Sequence, residues 1–443
     1  MKERDILNKL KIKKVLTKDN HLKFNSFKPF KVEKIYFQKR NFEEVLVLES
    51  KGKIFEYWTS QDLLVPPWQT HWFQLKDNFL LKLKGKLLEE FISKATLKAG
   101  NLNVLCKKIQ MSYPTFYNFV NKKGIEMISI LKLRKLLNYL ETSYDSINKK
   151  IEYTKKGNKI SIENPNFPIS LDNALGGLLL GMVVSDGCIY IDKKARNCVR
   201  TKYSSGEKES IKKFIEIINE IYGKTFIQSE YIRNCEILKI GSSIVGDSLL
   251  KAGAILGHKA RNDGPVPWLI RYGNRELKRK YLQAVFEDEA SLYSGRWGYI
   301  NLSRYKHLKN LTKNQRDELD SAIKHGRINK FPTGHENQRI SVKSALERSD
   351  RKEIRELLLN SAPRLLSGES ELLGEFGITN RLWPCSLTKT SLGNYSLSYT
   401  LFISRKEDIL KFYKEIGFSL DNKYKKLSKI VEDIGGKKIV KTV

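Results

Sequence analysis

Hydrophobic positions along the chain change their spacing several times, and each change predicts a different architecture. In the first 84 residues the runs Glu44-Val45-Leu46-Val47-Leu48-Glu49 and Ile54-Phe55-Glu56-Tyr57-Trp58 flank the turn Ser50-Lys51-Gly52-Lys53. Two such runs around a short polar turn read as a β-hairpin, and so as part of a small β-rich domain over 1–84 whose role the residues do not declare. Trp68, Trp72 and Phe73 are expected as its core rather than as a binding surface. Residues 85–152 switch to helical spacing. Leu105 and Ile109 lie four apart, Ser112 can cap a second helix that tolerates Pro114 in its first turn, and Phe116, Phe119 and Val120 supply its inner face. Ile130 to Leu140 predicts another helix. The polar stretch from Thr154 to Pro168 then predicts a linker over 153–169.

Beyond that stretch, Asp172 to Gly187 is apolar on all sides and then abruptly acidic. A helix of this kind must be buried along its length and emerge at Asp186-Gly187, with Gly187 ending it and Cys188 to Ile191 starting a strand. Gly181 and Ser185, four apart, give one face only small side chains, so a second helix can approach closely. Tyr281 to Ser291 repeats the plan 103 residues further on, with Ala284 in the place of Gly181 and Glu289 in that of Asp186. Lys208 to Tyr222 reads as an amphipathic helix.

Charge narrows the function classes. The 443 residues carry 81 Lys and Arg against 49 Asp and Glu, a formal net charge of +32, together with 40% hydrophobic residues. That is a folded polycation, and its expected partner is a polyanion, because Lys or Arg contacts with phosphates release counterions. Double-stranded DNA is expected ahead of a membrane: the longest apolar run, Ala174 to Val184, has 11 residues where a span needs roughly 20. No signal peptide is visible at the N-terminus, so a cytoplasmic, nucleoid-associated protein is expected. Five scattered cysteines without a C-x-x-C pair argue against a disulfide framework and a zinc finger.

Two family resemblances follow from these segments. Leu105 to Val120 resembles the helix-turn-helix of phage-repressor (Xre/Cro-like) proteins, with Cys106 in the place of a small alanine and Gln110 in that of a frequent turn glycine. The resemblance implies an all-α DNA-binding domain over 85–152. Tyr113, Thr115, Asn118 and Asn121 would face the major groove, with Lys122 and Lys123 near phosphates.

Leu179 to Gly187 and Leu282 to Ala290 resemble the two motifs of the LAGLIDADG homing endonucleases, and the likeness extends over about 170–430. It implies an α+β fold of two αββαββα repeats related by a pseudo-twofold, over 170–275 and 276–443, with an insertion at about 306–380. It also implies a site-specific double-stranded DNA endonuclease acting as a monomer, because both motifs lie in one chain. Asp186 and Glu289 would be the metal-binding catalytic carboxylates, sharing Mg²⁺ (or Mn²⁺), since paired carboxylates resist joint ionisation and a divalent cation relieves it. Lys259 and Lys423, with Lys425 and Lys426 as neighbours of the latter, would stand beside the metal. The strands after each motif would line the DNA, carrying Arg200 in the first repeat and Arg296, Trp297 and Arg304 in the second. Ala290 and Asp288 depart from the family's glycine and small residue. Two other activities remain open on this resemblance, a DNA-binding regulator that keeps the fold without cutting and an RNA-splicing maturase.

Overall fold

Strands β1 (Lys34–Arg40), β2 (Glu43–Ser50), β3 (Lys53–Trp58) and β4 (Leu63–Val65) form an antiparallel meander in that order. The β2–β3 hairpin is the one expected from its flanking apolar runs. Ser50 pairs with Lys53 across the two-residue loop Lys51-Gly52, both left-handed at φ 47° and 73°, the backbone a tight hairpin of this hand requires. Val45, Val47, Phe55 and Tyr57 are buried, as are Trp68, Trp72 and Phe73. The computed structural model describes residues 21–435 except 25–26, 115, 118–126, 158, 196, 295–297, 325, 331–335 and 348–351. They divide into two compact units, one of 1–176, 191–252 and 272–274, the other of 177–190, 253–271 and 275–443. Among the described residues no helix is long and apolar enough to cross a membrane.

In the first unit a five-stranded sheet joins β5 (Phe79–Leu83), β6 (Met127–Ser129), β7 (Ile151–Lys156), β8 (Lys159–Glu163) and the short strand Lys224–Thr225. Its order is Lys224–Thr225, β8, β7, β5, β6. The linker expected at 153–169 is therefore corrected: Thr154 pairs with Leu81, and Ile162 with Thr225. Ile151, Thr154 and Ile162 are buried β-branched residues, which favour strands, and the lysines around Gly157 that suggested a linker sit at the hairpin turn. Helices α1 (Leu87–Ala99), α2 (Leu102–Lys108) and α3 (Ile130–Tyr139) carry part of the helical pattern of 85–152, with Leu105, Ile109 and Phe116 buried, but the expected all-α domain is corrected: β6 lies within it and pairs with β5, so this segment shares the sheet. Gln110 is left-handed at φ 52°, and Met111 N–H closes onto Cys106 O at 2.9 Å, so glutamine occupies the turn position that glycine would suit.

Helix α4 (Ala174–Ser185) leads directly into β9 (Gly187–Asp192), as the acidic end of the apolar run predicts. Strand β10 (Cys198–Ser205), helix α5 (Lys208–Tyr222), strands β11 (Ile227–Ile232) and β12 (Cys235–Ile240) and helix α6 (Ser243–Lys251) follow. The amphipathic helix is where its pattern placed it, with Ile211, Phe214, Ile217, Ile218 and Ile221 buried and Phe214 stacked on Tyr203 at 4.4 Å.

In the second unit, α7 (Arg275–Glu289) precedes β13 (Ser291–Tyr293), β14 (Tyr299–His307), β15 (Arg327–Lys330) and β16 (Glu336–Ser341). Then come α8 (Arg364–Glu375), β17 (Arg381–Lys389), β18 (Tyr395–Ile403), α9 (Lys406–Glu415) and α10 (Asp421–Gly435). Six strands form one antiparallel sheet in the order β13-β14-β18-β17-β16-β15, so the segment expected as an insertion extends the sheet at its β17 edge. With β15, β16 and the helices Lys313–Ile323, Val342–Glu347 and Lys352–Asn360 around them set aside, the main elements from α4 to α6 and from α7 to α9 both run helix, two strands, helix, two strands, helix. The chain is thus of α+β class.

Candidate active site

Two helices meet through small residues, and this contact delivers the acids. A Cβ on Gly177 would lie 2.5 Å from Leu277 O, and one on Gly181 would lie 2.7 Å from both Tyr281 O and Ala284 Cβ. Gly177 faces Leu277 and Gly181 faces Tyr281, so within the second unit α4 and α7 run in parallel, with main chains closer than any side chain on those glycines would permit. The glycines and Ala284 serve as the repeated motif suggested. Five residues beyond Gly181 stands Asp186; five beyond Ala284 stands Glu289. Parallel helices in this register bring both carboxylates to one end of the pair.

The charges there interact. Burial, and then the charge of Glu289, raise the Asp186 carboxyl to about 6, while Lys259, Arg304 and Lys423 oppose the shift. Lys259 is itself pulled below the ordinary lysine range by burial and by Arg304, against the attraction of Glu289 and Asp186. These groups form one electrostatic cluster. All belong to the second unit.

Each lysine is anchored at a helix end. Lys259 donates to Val184 O at 2.7 Å and also to Ser185 O, the last carbonyls before Asp186. Lys423 donates to Ala290 O at 2.6 Å, just after Glu289. Cations at helix C-termini are favoured by the unsatisfied carbonyls there and by the helix dipole. Lys423 is set in place by Glu287, buried on α7, which accepts from Ser419 Oγ at 2.8 Å, from Leu420 N at 3.1 Å and from Ser419 N, fixing the turn into α10. The structure thus gathers Asp186, Glu289, Lys259 and Lys423, the four residues singled out from sequence. Lys425 and Lys426, also on α10, make no such hydrogen bond among the described residues.

Arg304 requires a correction. Expected on a DNA-facing strand, it is 7% exposed and lies beneath the cluster. Its Nη1 donates to Glu289 Oε1 at 2.5 Å, and its Nη2 to Glu369 Oε1 at 2.7 Å. Burial would lower the guanidinium's pKa, yet Glu289 and Glu369 hold it above its ordinary value. Glu369 is fully buried on α8 and accepts a further hydrogen bond from Tyr281 Oη at 3.4 Å. Alternation along β14 carries the missed signal: Ile300, Leu302 and Arg304 share the buried face. For Glu369 the signal is its place within the apolar stripe Leu365, Leu366, Leu372 and Leu373.

Of the DNA-contact residues expected in the helix-turn-helix, Tyr113 is exposed and its ring lies 5.7 Å from that of Tyr117. Thr115, Asn118, Asn121, Lys122 and Lys123 lie outside the described residues, as do Arg296 and Trp297. Arg200, in the first unit, is half-buried, 3.9 Å from Asp192.

No family model and no curated protein matches the chain. Among solved structures it is similar to mesophilic variants of the homing endonuclease I-DmoI, at 14% identity and a TM-score of 0.29, over 56% of this chain and 97% of that one. I-DmoI in complex with DNA and Ca is similar at 15% identity and TM-score 0.29, over 55% and 88%. Full-length DUF199/WhiA from Thermatoga maritima is similar at 13% identity and TM-score 0.28, over 62% and 63%.

Proposed function

We propose that the chain is a divalent-metal-dependent endonuclease acting on double-stranded DNA, with Asp186 and Glu289 as the carboxylates of its centre. The observation that carries this reading is the close parallel packing of α4 and α7 through Gly177 and Gly181, which brings that pair to one end of the two helices. Burial and like charge push the Asp186 carboxyl to about 6, and a protein gains nothing in stability by converging two acids at the buried ends of parallel helices. In a metal-dependent phosphodiester hydrolase such a pair has a use, as the holder of the cation.

The residues fit a hard cation. Carboxylate oxygens suit Mg²⁺ or Mn²⁺, and the repulsion felt by Asp186 is what such an ion relieves. Bound between Asp186 and Glu289, it would supply Lewis-acid stabilisation to the phosphate and lower the pKa of the attacking water. The chain's own residues do the rest. Arg304 fixes the rotamer of Glu289 through one oxygen. Lys259 and Lys423, tied to the helix ends, set positive charge where a phosphate gains negative charge on displacement. The formal charge of +32 holds the DNA.

One observation favours a second reading, a DNA-binding regulator without cleavage. Arg304 already neutralises Glu289 at 2.5 Å, so the second carboxylate has a cationic partner without a metal. A plasmid library carrying random inserts, incubated with the full chain in Mg²⁺, separates the two. The endonuclease reading expects linear products that share one site and a short fixed stagger. Binding without any enrichment of cut ends supports the regulator.

A further inference from the structure

The first unit holds a cleft of about 460 Å³ that the carboxylate centre does not use. Three turns close around it: the β7–β8 hairpin, the turn between β9 and β10, and the entry to α6. They contribute Lys156 and Lys159, Lys194 with Arg200 behind it, and Ser243; Lys76 completes the rim. Five cations thus line one concavity, and none of the described residues lining it is acidic. Two opposing charges act on these cations: Asp192, 3.9 Å from Arg200, and Asp247, which is pushed up by burial against the pull of Lys76 and Lys156.

Two independent features turn this from a basic surface into an anion site. Helix α6 has nine residues and begins at the cleft, where Gly241 and Ser243 are lining residues, so its first N–H groups and the positive end of its dipole lie there. Ser242 serves as the N-cap, accepting from Ile244 N at 3.3 Å. Ser243, beside it, is 4% exposed, and its hydroxyl is buried without a hydrogen-bond partner. A buried hydroxyl left unsatisfied is costly, and a ligand oxygen in the cleft would remove that cost.

We propose that this cleft binds a phosphoryl group, with the α6 N-terminus and Ser243 as hydrogen-bond donors and Lys156, Lys159, Lys194 and Arg200 as the charge. The volume suits a ligand of nucleotide size. The same chemistry serves a free nucleotide or pyrophosphate and a phosphate of a nucleic-acid backbone. The site stands whether or not the second unit cuts DNA.

Isothermal titration of the full chain with inorganic pyrophosphate tests it. One set of variants changes Lys156, Lys159 and Lys194 to Gln together; a control changes the exposed Lys94, Lys149 and Lys343 to Gln, removing the same charge elsewhere. The proposal expects the first triple to weaken pyrophosphate at least tenfold and the control by less than twofold. Ser243→Ala, which alters no charge, is expected to weaken it severalfold. Equal losses in the two triples, or no pyrophosphate binding by the unaltered chain, overturns the proposal, as does unchanged affinity in Ser243→Ala. The source is read from a duplex of arbitrary sequence: pyrophosphate competing with the duplex, and weaker duplex binding in the first triple than in the control, assign the site to the nucleic-acid backbone. Duplex binding equal in both triples, with pyrophosphate still lost from the first, assigns it to a free phosphorylated ligand.

Discussion

Arg304 donates to Glu289 at 2.5 Å, and the same guanidinium donates to the fully buried Glu369 at 2.7 Å. One buried cation therefore holds two acids, one in the candidate centre and one behind it. The Asp186 carboxyl of the same centre is raised by burial and by the charge of Glu289 to about 6.

Arg304→Met is expected to destabilise the second unit by about 3–5 kcal/mol, since it removes the cation paired with the fully buried Glu369 and with Glu289. Adding Glu369→Gln is expected to restore part of the loss. Urea unfolding of the full chain checks this, and a single variant within about 1 kcal/mol of the parent would show that the triad is not closed in solution.

For Asp186 the sign is fixed by the direction of its shift. Its pKa is raised from 3.8 to about 6, so between those pH values the folded chain keeps a proton that the unfolded chain has released. Its contribution to stability therefore falls as pH rises through that window. Asp186→Asn removes the effect. The variant should match the parent below about pH 4 and exceed it by roughly 1–3 kcal/mol above pH 6.5, as read from thermal melts across the range. A variant less stable than the parent at neutral pH would count against a strained acid at this position.

Gly181→Ala places a methyl 2.7 Å from Tyr281 O, a backbone atom that cannot swing away. A loss of about 1–3 kcal/mol is expected, as for other overpacked contacts, and Ala284→Gly should not fully rescue it because the carbonyl contact remains. Melting temperatures of the two variants decide this.

The carboxylate pair was legible in sequence because its signal is local. A helix apolar on every side that ends in an acid, repeated 103 residues on, leaves few alternatives for Asp186 and Glu289. The sequence pattern places Arg304 on the DNA-facing surface and does not single out Glu369, because each is polar on an otherwise apolar face, and composition assigns such residues to solvent or to a ligand. Only the two-residue period through Ile300 and Leu302 turns Arg304 inward. Residues 153–169 were missed for a different reason: lysines at a hairpin turn and a linker have the same composition, and the pairing of Thr154 with Leu81 is not local. It follows that removing residues 1–150 strips β5 and β6 from the sheet that holds β7, so a fragment beginning at 151 is expected to aggregate or to lose cooperative unfolding. Circular dichroism and gel filtration of that fragment test this.

DNA affinity should fall steeply with salt. On the order of ten phosphate contacts would give a slope of log K against log salt near −9, each contact contributing about −0.9. Filter binding from low to moderate salt measures it, and a slope near zero would remove nucleic acid as the partner.

Cleavage by the acid variants tests the central claim most directly. Asp186→Asn and Glu289→Gln keep side-chain size while removing the charge that would hold Mg²⁺. With a duplex recovered from the library selection, each change should abolish double-strand breaks in Mg²⁺ while affinity in Ca²⁺ stays equal or rises, since a negative group facing a phosphate has been removed. Breaks that persist in both variants would contradict the assignment of Asp186 and Glu289 as the catalytic pair.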